Sequence, residues 1–228
     1  MSQEGLVNME KDLRKTFELS LKDLKDKMIE MFNRVEQVYK SMFIALEKMD
    51  VKLAQDLIDH DKEINEMEDS INETSFLVIL KQCPVARDLR MILTAIKIAN
   101  DLERMADYAT NCAMYILKTN QVHKAYNDEI LKYKEYLLDM LVTIKKAYDE
   151  NDVSIAFDVC DKDDRVDSLY RKQLDDFVEV AKTMTDEKAE EASRALLVIK
   201  QLERAGDHMT NIAEHIIYLK GGKLVELN

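Results

Sequence analysis

Asp101-Leu-Glu-Arg-Met-Ala-Asp-Tyr-Ala-Thr-Asn111 and Gln201-Leu-Glu-Arg-Ala-Gly-Asp-His-Met-Thr-Asn211 are two copies of one motif, a hundred residues apart. The same residue types stand at six of the eleven positions, which is more than shared helical composition produces. The pair therefore predicts an internal duplication. A period this long indicates a duplicated three-helix unit rather than a short-repeat solenoid.

A second pair of matching segments lies earlier in each half. With a shift of 102, the residues Asp50, Val51, Ala54, Asp56, Asp59 and Asp61 meet Asp152, Val153, Ala156, Asp158, Asp161 and Asp163. The change from 102 to 100 means a net difference of two residues between the blocks. We expect that difference at the turn near Pro84.

Long helices are predicted throughout, because glycine and proline are nearly absent and helix-forming residues dominate. Asp50 and Asp152 are expected to cap helices that start at the next residue, and Gly221-Gly222 to end the last helix. Six helices are predicted, near residues 8–48, 51–82, 85–118, 128–149, 153–183 and 187–219.

The most loop-like connection is residues 119–127, and we place the boundary between the halves there. The prediction is an all-α protein of two tandem three-helix bundles, with residues 1–120 forming the first repeat and residues 121–228 the second.

Composition narrows the functional classes. The net charge of −12 argues against nucleic acid, whose binders usually carry a basic face, and it suits cations or a basic partner surface. The sequence shows neither a membrane-length apolar run nor a secretory signal. The cysteines Cys83, Cys112 and Cys160 form no CxxC motif and are expected to be small buried side chains in a reducing cytoplasm.

Each motif copy places oxygen-bearing side chains one helical turn apart: Glu103, Asp107 and Asn111 in the first half, and Glu203, Asp207 and Asn211 in the second. Eight residues rotate a helix only about 40° past two full turns, so each trio forms a ladder beside an apolar seam. A carboxylate at the edge of a core is costly unless it is paired or bound to metal.

The preceding helix of each half offers a matching ladder, formed by Asp61 and Asn65 in the first half and by Asp163 and Asp167 in the second. Antiparallel packing would bring the ladders face to face as a hard-cation site. The alternatives are ordinary salt bridges, from Arg104 to Asp107, Arg204 to Asp207 and Lys200 to Glu203, or an interhelical polar network without metal.

Other chemistry finds no support. We see no Gly-rich phosphate loop, no GxSxG, no HExxH and no Cys-His pair, so a non-enzymatic protein is expected. The four histidines are not spaced as a ligand set. Ala106 and Gly206 stand where a di-iron carboxylate protein would need the histidine of Glu-x-x-His, which argues against an iron storage or redox enzyme.

The two quoted motifs, together with the ending His-Ile-Ile-Tyr-Leu-Lys-Gly-Gly and the lead-in Asp88-Leu-Arg-Met-Ile-Leu-Thr-Ala-Ile-Lys97, resemble the signature helices of the PhoU family. The resemblance extends from about residue 10 to residue 222. It implies two tandem three-helix bundles, often as a homodimer, with metal clusters on acidic motifs. The metal is iron in some members, and Zn, Mn, Mg or Ca are alternatives here.

Carried over by position, the resemblance assigns ligands to Glu103, Asp107, Asp61 and Asn65, then to Glu203, Asp207, Asp163 and Asp167, with Asn111 and Asn211 as neighbours. Asn65 departs from the family pattern, so the first site is expected to hold metal more weakly. The resemblance also implies negative regulation of phosphate uptake and of phosphate-starvation signalling. Its implied partners are the Pst phosphate ABC transporter and the Pho sensor histidine kinase.

Overall fold

A computed structural model describes residues 3–119 and 124–222. These residues form eight α-helices and no strand: α1 Gln3–Lys48, α2 Val51–Asp59, α3 Asp61–Gln82, α4 Ala86–Lys118, α5 Lys124–Leu131, α6 Lys134–Glu150, α7 Val153–Ala181 and α8 Asp186–Gly221.

The helices form two bundles of the same design, which confirms the predicted fold class. In the first bundle α1 packs against α4 and the α2–α3 pair, and in the second α6 packs against α7 and α8. One ion pair and one hydrogen bond show that α1 and α3 are antiparallel. Arg34 pairs with Glu63, whereas Lys27, earlier in α1, bonds Thr74, later in α3.

The predicted caps are confirmed. Asp50 Oδ1 accepts hydrogen bonds from the backbone amides of Lys52 and Leu53 at 3.1 and 3.0 Å, and Asp152 Oδ1 accepts from the amide of Ser154 at 2.8 Å. Gly222 takes a left-handed conformation with φ of 68° and closes α8.

The single helix predicted over residues 51–82 is wrong, because the chain breaks between α2 and α3 at His60. The His60 ring Nδ1 lies 2.7 Å from the carbonyl oxygen of Asp56, where it competes with the backbone amide for that acceptor. The equivalent position in α7 is Lys162, and α7 continues without a break. The helix predicted over residues 128–149 is likewise two helices, α5 and α6, with a turn at Lys132 and Tyr133.

The two repeats join mainly along α4 and α8. Both helices bury apolar side chains completely, among them Ala99 and Met105 on α4 and Ala205 and Met209 on α8. The placement of the boundary at residue 120 stays a prediction, since residues 120–123 lie outside the described residues.

Buried polar groups also cross the α4–α8 interface. Asp101 of α4 accepts from His208 Nδ1 at 2.8 Å and lies 3.3 Å from His215 Nε2, and both histidines belong to α8. The Tyr108 hydroxyl lies 3.1 Å from His208 Nε2. Burial alone would raise the pKa of Asp101, but the two histidines outweigh it and hold that pKa below its ordinary value.

Cys112 is buried and Cys160 is partly buried, but Cys83 is exposed, so the expectation for Cys83 is wrong. Cys83 is the C-cap residue of α3 and takes a left-handed conformation with φ of 45°. Among the helices described, none has the length and apolar character needed to cross a membrane.

Candidate metal centre in the second repeat

Three carboxylates meet where α7 packs on α8. Asp163 and Asp167 lie one turn apart on α7, and Asp207 faces them from α8. One ligand oxygen from each residue lies within 4.8 Å of the others. Among the described residues this is the one group of at least three acidic, histidine or cysteine side chains with such spacing. Hard divalent or trivalent cations prefer oxygen donors in this kind of cluster.

Asp163 is the buried member of the trio. The residue is only 6% exposed, and its Oδ1 atom is buried without a hydrogen-bond partner. Thr210 Oγ1 donates to the other oxygen, Oδ2, at 3.0 Å. A buried carboxylate oxygen that lacks a partner costs free energy, and a bound cation removes that cost.

The pKa of Asp163 reflects the same unfavourable burial of its carboxylate. Burial raises the pKa of Asp163 to about 7. The hydrogen bond from Thr210 opposes this rise, and the negative charges of Asp207, Asp167 and Glu203 add to it. Burial also raises the pKa of Asp207, and Glu203 adds to that shift. The residues present therefore fit a cation, because its positive charge offsets both the burial and the mutual repulsion.

Gly206 creates the space that Asp163 uses. A Cβ atom placed on Gly206 would lie 2.3 Å from Asp163 Oδ1, a distance at which atoms overlap. The absence of a side chain on this turn of α8 lets the carboxylate of α7 approach the helix backbone closely. The first repeat has Ala106 at the matching position.

Glu203 does not join the trio. Its two oxygens lie 2.6 and 2.5 Å from Lys200 Nζ, which also sits 4.8 Å from the centre of the Tyr170 ring. Glu203 is buried, so the lysine compensates a charge that would otherwise be unpaired. The structure thus brings Asp163, Asp167 and Asp207 together, and it places Glu203 beside them with its own counter-ion.

The first repeat contains a looser version of the same arrangement. Thr110 Oγ1 donates to Asp61 Oδ1 at 2.8 Å, as Thr210 does to Asp163. Burial raises the pKa of Glu103, with Asp107 adding to it, and burial followed by the charge of Asp61 raises the pKa of Asp107. These carboxylates face one another closely enough to interact, although they do not meet the spacing of the second-repeat trio.

The asparagines are placed less centrally. Asn65 and Asn111 are exposed, and Asn211 is partly buried. Asn111 lines a cleft between α4 and α8 with Arg194 and Gln201, rather than a cleft with Asp61.

Part of the salt-bridge alternative is also present in the structure. Arg104 lies 3.3 Å from oxygens of both Glu103 and Asp107, and Lys200 pairs with Glu203. Arg204 is placed differently, over the ring of Tyr108 at 5.9 Å. The first repeat therefore uses Arg104 to neutralise its acids in part. Asp163 in the second repeat is given no basic partner among the described ion pairs.

Sequence reasoning did not assign roles to Thr110, Thr210 or Gly206. The two threonines stand in the duplicated motif, so their repetition was the available signal. Gly206 was the other signal, because it is the one glycine inside a predicted helix.

The fold and this site define an internally duplicated helical-bundle protein with an acidic cluster between the last two helices. The PhoU domain profile matches residues 28–116 and 130–216. The chain therefore belongs to the PhoU family, which confirms the resemblance seen in the sequence.

Curated relatives cover nearly the whole chain. A phosphate-specific transport system accessory protein PhoU homolog from Clostridium acetobutylicum is 36% identical over 219 residues, which is 94% of this chain and 99% of that protein. The accessory protein PhoU of Escherichia coli is 28% identical, over 95% of this chain and 90% of that protein.

Solved structures agree with the fold. The crystal structure of the phosphate transport system regulatory protein PhoU from Streptococcus pneumoniae matches with a TM-score of 0.84 at 26% identity, covering 92% of this chain and 99% of that one. PhoU from Pseudomonas aeruginosa matches with a TM-score of 0.85 at 29% identity, covering 91% of this chain and 100% of that one.

Proposed function

We propose that this protein is a metal-binding, non-enzymatic regulator that restrains phosphate uptake and phosphate-starvation signalling in the cytoplasm. In this proposal it acts as an adaptor between the Pst phosphate ABC transporter and the Pho sensor histidine kinase, and it forms a homodimer. The names of the curated relatives support the phosphate part, since they are called accessory proteins of phosphate-specific transport.

The observation that carries the metal part is the buried Asp163 oxygen without a partner, facing Asp167 and Asp207. A purely structural bundle would gain stability by replacing this acid with a neutral residue. A resident cation supplies a reason for its presence. Iron is our first expectation, and zinc, manganese, magnesium and calcium remain the other candidates for an all-oxygen site.

A complementation experiment tests whether the carboxylate site is needed for regulation. Wild type, Asp163→Asn and the matched control Asp164→Asn are expressed in a bacterium whose own PhoU-family gene is deleted. Asp164 is exposed and one residue away from the site, so it tests for general effects of lost charge. We expect wild type and Asp164→Asn to restore restrained phosphate uptake and low kinase output, and Asp163→Asn to restore less.

Pulldowns identify the partners directly. We expect the full-length protein to retain the ATPase subunit of the transporter and the cytoplasmic part of the kinase, and mass measurement to give a dimer. Retention of neither partner under any phosphate or metal condition would refute the adaptor role. Restored control of a different phosphate carrier, without Pst binding, would point to a regulator of that carrier instead.

Elemental analysis of protein purified without chelator tests the site itself. An iron storage or redox protein would oxidise ferrous iron with turnover, and an adaptor would bind metal without turnover. Protein that contains no metal and binds none on titration would leave a structural helical module as the explanation.

A further inference from the structure

The second repeat has an open apolar groove at the end of the bundle where α7 ends and α8 begins. It has a volume of about 410 Å³. Its walls come from α5, the last turns of α7 and the first turns of α8, and its apolar lining includes Phe177, Val180, Met184, Leu196 and Ile199.

The internal duplication shows what lies at the same place in the first repeat. Val180 corresponds to Val78 by the shift of 102, yet Val78 is 4% exposed and Val180 is 50% exposed. The difference arises from the first helix of each repeat. Tyr126 of α5 corresponds to Leu24 of α1, but α1 continues towards the N-terminus for many residues, whereas α5 begins at Lys124.

In the first repeat, the turns of α1 that precede Leu24 cover the place that corresponds to the groove. Lys27 of α1 bonds Ser70 and Thr74 of α3. Because the two helices are antiparallel, the turns that contain Phe17 and Leu21 run beside the end of α3, and both side chains pack against the core. Their counterparts by the same shift are positions 119 and 123, which precede α5. Among the residues that the structure describes, the second repeat therefore has no helix at the place that the turns around Phe17 and Leu21 occupy in the first.

Charge around the groove indicates which helix would fit. Residues 172–191, which form its rim, contain seven acidic and three basic residues. Lys182 pairs with Glu179 and Arg194 pairs with Glu190. The charged residues that line the groove itself are Glu129, Asp176 and Lys188, so acids outnumber bases there as well. An excess of negative charge around an apolar channel favours a helix with one apolar face and basic flanks.

We propose that the α5–α7–α8 groove is a docking site for a basic amphipathic helix of a partner protein, bound as α1 is bound in the first repeat. The inference rests on the adaptor function in the sense that it supplies one binding surface for a partner. It does not involve the carboxylate site, so the two are tested separately.

The probe is a synthetic helical peptide of about twenty residues, with apolar side chains at i, i+4, i+7 and i+11 as in Phe17, Leu21, Leu24 and Met28, and with lysines on its other face. A peptide of the same composition with scrambled order is the control. A third peptide carries glutamate in place of lysine. Binding to the full-length protein is measured by calorimetry, and no transporter, kinase or metal is needed.

Two matched pairs of variants locate the binding. Leu196→Glu places a charge in the groove, and Leu197→Glu places it on the adjacent residue, which is 65% exposed and does not line the groove. We expect the first to weaken binding about tenfold or more and the second to change it less than about twofold. Asp176→Lys should weaken the lysine peptide about two- to fivefold, and Asp175→Lys much less.

If Leu196→Glu folds poorly, the surface variants Asp176→Lys and Asp175→Lys still test the proposal. Equal binding of the ordered and scrambled peptides, preference for the glutamate peptide, or no binding at all would overturn the proposal. So would self-association of the protein that Leu196→Glu abolishes, because a second copy would then occupy the groove. Peptide binding that persists in Asp163→Asn while phosphate control is lost would show that the groove and the carboxylate site fail independently.

Discussion

Thr210 on α8 donates its hydroxyl hydrogen to Asp163 on α7 across 3.0 Å, and Thr110 makes the same bond to Asp61 across 2.8 Å in the other repeat. One hydrogen bond thus connects the second and third helices of both bundles. The second oxygen of Asp163 has no hydrogen-bond partner, whereas the less buried Asp61 lines an open cleft.

Asp163→Asn should separate stability from metal binding. The folded pKa of Asp163 is about 7, above its ordinary 3.8. Between these two pH values the folded state therefore holds a proton that the unfolded state has released. Stability of the metal-free protein therefore falls as pH rises through that window, by roughly 4 kcal/mol at most. We expect metal-free Asp163→Asn to be more stable than wild type at pH 8, by about 1–3 kcal/mol in urea unfolding.

The same variant should lose metal at the second site, with Asp164→Asn as the unaffected control. If Asp163→Asn were less stable than wild type at pH 8 and gained stability with added metal, the carboxylate would not be the strained group.

Metal affinity at the second site should depend on pH, because binding must displace the Asp163 proton. We expect the apparent association constant to rise about tenfold per pH unit below pH 7 and to level off above it. Calorimetric titration in two buffers of different ionisation enthalpy counts the released protons. A flat profile between pH 5.5 and pH 8 would contradict the assignment of Asp163 as a ligand.

Gly206→Ala should weaken the second site while leaving the fold intact. The new Cβ must displace Asp163 Oδ1, but alanine is the better helix former by about 1 kcal/mol, so the two effects on stability oppose each other. We expect metal affinity to fall about tenfold and the free energy of unfolding to change by less than about 1 kcal/mol. The control is Gly221→Ala, where a Cβ meets nothing within 4 Å.

Asn65→Asp should strengthen the first site. It places an acid at the position that Asp167 holds in the second repeat, one turn after Asp61 on α3. We expect two classes of binding in the wild type, with the second repeat the tighter, and about tenfold tighter first-site binding in Asn65→Asp. Glu66→Gln, on an exposed neighbour, serves as the control. Equal affinities in the wild-type protein would show that Asn65 and Arg104 do not set the difference.

Asp101→Ala should loosen the contact between the repeats. It removes the acceptor shared by His208 and His215 and leaves two partly buried imidazoles without it. We expect a loss of about 2–4 kcal/mol in unfolding free energy. Gln201→Ala tests the duplicate position on α8 and should cost less than about 1 kcal/mol. Similar losses in both variants would mean that the histidine network adds nothing specific.

The sequence by itself determined the helical class, the duplication, the caps at Asp50 and Asp152 and the one-turn spacing of the carboxylates. These features follow from local backbone preferences and helical periodicity, which act between neighbours along the chain. It also identified both pairs of ladders, because spacing of four residues places side chains on one helix face.

Only the tertiary structure decided which of those side chains meet. Asp163, Asp167 and Asp207 converge because Gly206 lets α7 approach α8, whereas Glu203 turns to Lys200. The Asp101–His208 bond and the open groove beside Val180 likewise depend on packing between distant segments. Distances of a few ångströms across a helix interface are set by the volumes of all the side chains between the helices, and no local pattern encodes them.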